Sequence, residues 1–359
     1  MVEITGKQLK KIQYKKRIKP YKYAFWLFVI VLIIVSINEI DFNNYFSLFR
    51  NFNKFYFFIF IFITFLNLFL VVFRWDLILK GFGNFIPFKN LFIYKNFGFF
   101  ANYFFPTGRV GGEAIKIYFL KDKHKFSNHK AFINVAFDKL IELFFVFLFS
   151  ILTFGFIMYK VFLIYNFFGF FLILFFIFYV LFIFKISKSF VNGDYIITKL
   201  IYKLKLYRFK FIKKNLYSIE NMDRDFFYFY SKNNKLFNKI CIISVISVFL
   251  HNINLYFLFS SLSINIGFFT SFFIYNLTLL FMLAPVPAGF GFVDFFYLKV
   301  VPFIVPGLGF YALLPLLVRI EDLIISFVGF ICMFIEKVPH LYDKILRYKI
   351  FKFNFFMKK

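Results

Sequence analysis

The 359 residues contain two cysteines and four histidines. Cys241 and Cys332 lie in apolar stretches without a CxxC partner, and His124, His129, His251 and His340 fall into no metal-ligand spacing. A disulfide framework, a metal site and a cofactor are therefore not expected. Acidic residues are scarce, 17 Asp and Glu against 44 Lys and Arg. There is no GxSxG elbow and no P-loop, so no catalytic residue is assigned and enzymatic activity is not the expectation. No small-x-small cleavage pattern follows the first apolar stretch, which reads as a retained helix and not as a removed signal peptide.

What fills the chain is apolar: 62% of it is hydrophobic and the mean hydropathy is +0.77. That composition belongs to polytopic membrane proteins. The 71 Phe come with abundant Ile, Lys, Asn and Tyr, the bias of AT-rich coding, and are not read as an aromatic binding platform. A net charge of +27 raises nucleic acid as a partner, but its distribution argues against it. Blocks 1–22, 74–130, 185–239 and 337–359 hold 8, 10, 13 and 7 of the 44 basic residues, whereas 38–54 and the region near 160 hold only Arg50, Lys54 and Lys160. This is the asymmetry of the positive-inside rule, and such blocks attract anionic headgroups.

The fold class expected is an all-α polytopic membrane protein of about eight transmembrane helices, with re-entrant or broken helices near 91–120 and 287–309. A basic tail at 1–22 precedes a membrane domain at 23–336, and a second basic tail occupies 337–359. Spans are read at 23–38, 55–73 (ending at Arg74-Trp75-Asp76), 131–159, 161–184, 240–262, 266–286 and 310–336. The 185–239 loop is expected to carry an amphipathic surface helix. Both termini and this loop then face the cytoplasm, in a cytoplasmic membrane.

The two broken segments carry the chemistry. In lipid, irregular backbone survives only against protein or a water-filled cavity, and ionisable residues at membrane depth are costly and kept for a task. In the first segment Pro106 and Gly108 break the chain, and Gly111-Gly112 turn it into a helix. Free N–H groups at that helix start, with the helix dipole, favour an anion such as phosphate. Arg109 adds a planar fork. Glu113 and Lys116 share a face. Arg109, Gly111, Gly112, Glu113 and Lys116 are the candidate headgroup-binding residues; the plainer reading is that the charges only pair with one another. In the second segment Pro287, Gly289 and Gly291 are the breaks. Asp294 follows Pro287 by seven residues, as Glu113 follows Pro106, a faint pointer to corresponding half-helices. Asp138 and Glu142, one turn apart near the start of the 131–159 span, and Asp294, Arg319 and Asp322 make up the expected supporting polar network. Arg319 is placed roughly 14 Å into a helix beginning at 310, at ~1.5 Å per residue. It either neutralises Asp322 three residues on or meets Glu113, Asp294 or a lipid phosphate.

These motifs resemble a known family. Asn102-Tyr103-Phe104-Phe105-Pro106-Thr107-Gly108-Arg109-Val110-Gly111-Gly112-Glu113 is similar to the Asn-x-x-x-Pro…Gly-Gly-Glu signature of the flippase-like family, also called the lysylphosphatidylglycerol synthase transmembrane region. Ala136-Phe137-Asp138-Lys139-Leu140 resembles its next patch. Pro287 to Asp294 resembles its Pro-x-Gly-Gly-x-Gly-x-x-Glu element, with Asp294 for Glu and Phe290 for Gly. Leu317-Val318-Arg319 resembles the arginine of its last helix. The resemblance implies an inner-membrane protein of lipid handling, in a form lacking the aminoacyl-transferase domain that some members carry. The expected function is binding and translocation of an anionic phospholipid or lipid-linked intermediate. The alternatives are the membrane subunit of a lipid aminoacyl- or glycosyl-transferase with catalysis in a partner chain, and a purely structural scaffold.

Overall fold

A computed structural model describes residues 50–104, 111–162, 177, 181, 196–203, 205–282, 286, 289–305, 311 and 313–335. The regular elements among them are all helical. The expected span at 23–38, most of that at 161–184 and both basic tails lie outside the described residues.

Helix α1 runs over Lys54–Gly81, and Asn53 caps it, its Oδ1 accepting from Phe55 N at 3.0 Å and Tyr56 N at 3.3 Å. One face presents Phe55, Phe58, Phe62, Phe65, Phe69 and Phe73 outward at three- and four-residue spacing, while Thr64, Asn67 and Arg74 turn inward. Polar groups inside and phenylalanine outside is the arrangement for a hydrocarbon solvent, where no water satisfies an outward polar group. The helix does not stop at Arg74 as its sequence suggested. It continues for two more turns, and Arg74, Trp75 and Asp76 are buried. It ends where Gly83, at φ 73°, donates to Lys80 O, the left-handed residue that closes a helix most cheaply when it is glycine.

Helices α2 (Phe88–Phe104) and α3 (Gly111–Asp122) form a hairpin around the segment 105–110, which lies outside the described residues with Pro106, Gly108 and Arg109. They cross at Gly98 and Gly112: a Cβ on Gly112 would stand 2.1 Å from Gly98 O. Small residues are the usual means of close helix approach in membranes, where apolar burial drives nothing. Helix α4 (Asn128–Phe162) follows. Next come α5 (Ile196–Lys203), a 3₁₀ turn (Leu206–Arg208) and α6 (Lys210–Lys232), a strongly amphipathic helix. Phe226 and Phe229 of α6 pack on Phe137 of α4.

Helix α7 (Asn234–Ser261) packs antiparallel along α1, with Asn53 N donating to Ser261 O at 2.8 Å. Helix α8 (Phe268–Phe281) leads into the second broken segment. There Gly289 and Gly291 take φ 64° and 81°. Short α9 (Phe292–Phe295), a π-helical turn (Phe296–Val300) and α10 (Val301–Ile304) follow. Pro287, Pro306, Gly307 and Gly309 lie outside the described residues. Helix α11 (Leu314–Ile335) begins four residues later than the 310 expected, so Arg319 sits only about a turn and a half in. It packs so closely on α2 that a Cβ on Gly329 would meet Asn96 O at 2.2 Å. Among the described residues α1 and α7 are long and apolar enough to cross a membrane by themselves.

Candidate anion-binding cavity

Helices α1 to α4 meet at charged side chains. Arg74 of α1 donates from Nε to Asp138 Oδ1 at 2.9 Å and from its terminal nitrogen to Glu142 Oε2 at 3.1 Å. Lys95 of α2 reaches Asp138 Oδ2 at 2.7 Å, and Lys116 of α3 reaches the same oxygen at 3.5 Å. Lys116 also pairs with Glu113 one turn earlier, and Lys139 with Glu142. Trp75 offers its ring to both lysines, with Nζ of Lys95 at 6.0 Å and of Lys116 at 5.5 Å, the geometry of a cation over an aromatic face.

Asp138 was expected near the membrane edge, where solvation lowers its cost. It is instead fully buried, three turns into α4, and it holds three cations from three helices. Among the described residues the connected cluster holds four cations, Arg74, Lys95, Lys116 and Lys139, and three carboxylates, Glu113, Asp138 and Glu142. Charges so buried are tolerated only when paired, and each of the four cations has a carboxylate partner.

At the start of α3, the Gly112 N–H is not free as the sequence reading supposed: it donates to Asn102 Oδ1 at 2.7 Å. Asn102 thus serves the helix as a cap from across the hairpin. Gly112 is required for the approach of α2 to α3, and its own amide is not open to a ligand. Lys116 likewise has its ammonium engaged by Glu113 and Asp138.

A cavity of about 130 Å³ lies between α1, α2, α4, α7, α8 and α11, with Arg74, Asn102, Lys139, Glu142, His251 and Asp322 in its wall. That is room for several waters or a group of phosphate size. Arg74 and Lys139, both paired with Glu142, set cationic groups in this wall beside the carboxylates of Glu142 and Asp322.

Asp294 and Arg319 stand apart from that cluster. Arg319 donates from both terminal nitrogens to the two oxygens of Asp294, at 2.8 and 2.7 Å, and lies 4.2 Å from the Phe290 ring centre. It does not neutralise Asp322. Asp294 Oδ2 also accepts from Gly291 N at 2.8 Å. A short carboxylate therefore closes the backbone break and the arginine at once, and Phe290, standing where a glycine was the pattern, supplies the stacking surface. The expected single network of Asp138, Glu142, Asp294, Arg319 and Asp322 is thus divided: Asp138 and Glu142 join the cationic cluster, Asp294 and Arg319 form a separate pair, and Asp322 reaches the cavity. Arg74, Lys95 and His251 were missed. The first two were counted as loop charges, although the apolar Leu77-Ile78-Leu79 after Arg74 and the Leu91-Phe92-Ile93 before Lys95 signalled continuing buried helices. Among the described residues no group of three or more His, Cys, Asp and Glu is arranged to hold a metal ion.

Broken helices gathered around buried charges and a polar cavity, with phenylalanine outside, define a class: an all-α membrane protein with an internal polar site. The chain belongs to the lysylphosphatidylglycerol synthase TM region family, which matches residues 23–325. It is also similar to a UPF0104 membrane protein of Methanocaldococcus jannaschii, 26% identical over 141 residues, which are 39% of this chain and 42% of the relative. The match thus spans under half the length of that relative. No solved structure matches the chain.

Proposed function

We propose that this protein binds the phosphate-bearing headgroup of an anionic lipid, a phospholipid or a lipid-linked intermediate, in the cavity and carries it across the cytoplasmic membrane. The observation that carries the reading is a polar cavity walled by Arg74 and Lys139, at the edge of a buried cluster with four cations and three carboxylates among the described residues. Arg74 spends Nε and one terminal nitrogen on Asp138 and Glu142, so what it and Lys139 offer a phosphate is the field of two cations at the edge of a polar space. Arg109, two residues before Gly111 in the sequence, is assigned to the same headgroup. Acyl or prenyl chains stay in the bilayer. Both termini and the 185–239 loop face the cytoplasm in this reading, on the strength of the charge pattern. External labelling of Ser187→Cys and Ser218→Cys in sealed cells, with native cysteines replaced, is expected to fail, and labelling would reverse the orientation.

A second reading is favoured by the family's description, which names the membrane region of a synthase: a membrane subunit that presents lipid to a transferase partner. The experiment is reconstitution in phosphatidylcholine vesicles with fluorescent phosphatidylglycerol. Wild-type protein is expected to move the label between leaflets, and Arg109→Ala and Lys139→Gln to slow it at least tenfold. Arg109→Lys keeps the charge but loses the fork, and is expected to be intermediate. Unchanged co-purifying lipid and unchanged transport in Arg109→Ala and Lys139→Gln would overturn the headgroup assignment. Transfer of a labelled lysyl or sugar group to lipid, seen only with a partner chain, would favour the second reading.

A further inference from the structure

Behind the cavity wall, away from the cationic cluster, three side chains from three helices close a ring of contacts that reaches the cavity at His251. His251 Nδ1 (α7) lies 3.1 Å from Glu321 Oε1 (α11). His251 Nε2 lies 2.8 Å from the Tyr275 hydroxyl (α8), and that hydroxyl lies 3.1 Å from Glu321 Oε2. Glu321 and Tyr275 are buried, and His251 lines the cavity.

Hydrogen counting decides what this ring holds. Each of the three contacts needs one hydrogen between its two heavy atoms. A tyrosine brings one, a neutral imidazole brings one and a carboxylate brings none. The ring is therefore one hydrogen short unless it takes up a proton, either as imidazolium beside carboxylate or as neutral imidazole beside carboxylic acid. With that proton the three side chains carry no net charge and all three contacts are made. Without it they carry one negative charge, and one contact sets two lone pairs against each other inside the protein, where that is costly. Asn67 of α1 supplies the alternative partner: its Nδ2 is 3.3 Å from His251 Nδ1, so a neutral ring has a donor to turn to when the proton leaves.

We propose that His251, Glu321 and Tyr275 form a proton-binding site behind the cavity wall, and that one proton enters together with the anionic headgroup. The coupling rests on the headgroup reading above; the proton site itself does not. The physical link is charge in a shared space. Protonated, the trio is neutral and adds no charge opposing an anion beside Arg74 and Lys139. Deprotonated, it adds a negative charge behind a wall that already holds Glu142 and Asp322. The groups that face the trio from the packed helices are Thr64 and Asn67 on α1, Ser247 and Asn254 on α7, and Asp322 on α11, with Arg74, Lys139 and Glu142 across the cavity. Of these only Asp322 and Glu142 are further carboxylates, so substitution at Glu321 separates the trio's proton from theirs. Binding of proton and anion then favour each other reciprocally.

The test uses the full chain in phosphatidylcholine nanodiscs, with short-chain phosphatidylglycerol as the probe. A phosphodiester keeps one charge between pH 5 and 9, so any pH dependence belongs to the protein. Wild-type affinity is expected to fall as pH rises through the trio's midpoint, approaching about tenfold per pH unit above it, the slope for one coupled proton. Glu321→Gln and Tyr275→Phe are expected to flatten that slope while remaining monodisperse. In parallel, imidazole NMR of histidine-labelled protein, with the His251 signal assigned by His251→Gln, is expected to show one titration that saturating probe shifts to higher pH and Glu321→Gln shifts to lower pH. A wild-type affinity that does not change with pH would overturn the coupling. A His251 signal that titrates identically in wild type and Glu321→Gln would overturn the proton site. If no probe binds at any pH, the headgroup reading and the coupling fall, and the proton site is then decided by the imidazole titration alone.

Discussion

At the first helix break, Glu113 pairs with Lys116 of its own helix, and Lys116 shares Asp138 with Arg74 and Lys95 from two other helices. At the second, Asp294 takes Arg319 in a closed two-point pair, caps Gly291 and leaves the guanidinium stacked near Phe290. The two breaks look alike along the chain, each with a proline, a glycine two residues on and an acid seven residues on. Their electrostatics differ. Among the described residues the first joins four cations and three carboxylates from four helices beside a cavity, while the second is a one-to-one pair. The comparison teaches that a like pattern of breakers yields a shared charge cluster in one place and a two-member clasp in the other, according to how many helices send charge to it.

The difference is broken most strongly at Asp138. Asp138→Asn removes the carboxylate that three buried cations share and leaves Lys95 without one, and removing one partner from a buried ion pair costs about 3–5 kcal/mol. The variant is expected to lose most of its thermal stability in detergent or fail to insert. The paired change Asp138→Asn with Lys95→Met should recover part of the loss, because apolar replacement of a buried pair is often neutral. If Asp138→Asn unfolds at the wild-type temperature, the cluster does not hold these helices together.

Asp294→Asn strands only one cation and keeps an oxygen for the Gly291 amide. Its cost should lie near the lower end of the same range, about 3 kcal/mol, with headgroup binding unchanged. A loss of binding without loss of stability would move the second break into the site.

The glycines sharpen the contrast between packing and turning. Gly112→Ala presses on the Gly98 carbonyl and should cost about 1–3 kcal/mol as overpacking. Gly291→Ala, at positive φ, should cost about 1–2 kcal/mol for left-handed backbone. Thermal unfolding of the two variants ranks them, and the reverse order would mean that the hairpin yields more readily than the turn.

The smallest effects are at the caps. Asn102→Ala should cost about 1 kcal/mol, the usual loss for a helix cap. Asp294→Glu, which restores the family's residue, should keep the arginine pair and disturb only the Gly291 contact, again about 1 kcal/mol. A gain in stability on Asp294→Glu would show that the shorter acid is the strained one.

Composition and hydropathy alone determined the class, because a chain this apolar has no soluble way to cover itself. The motif order from Asn102 to Arg319 carried the family. The helix breaks were legible from Pro and Gly, since few other residues take those backbone conformations. Sequence also marked Glu113, Asp138, Asp294 and Arg319 as charges needing partners. Which partner each takes was decided only by tertiary structure, because ion pairs between helices depend on which faces meet, and no local spacing fixes that. Arg74 and Lys95 were counted along the chain with the basic loops, while the fold turns them inward onto Asp138. Charge blocks sum residues by position along the chain, whereas burial is set by the face of the helix each residue occupies. His251, Glu321 and Tyr275 lie on three helices and come together only in space. Their missing hydrogen is a property of distances, which one-dimensional order does not contain.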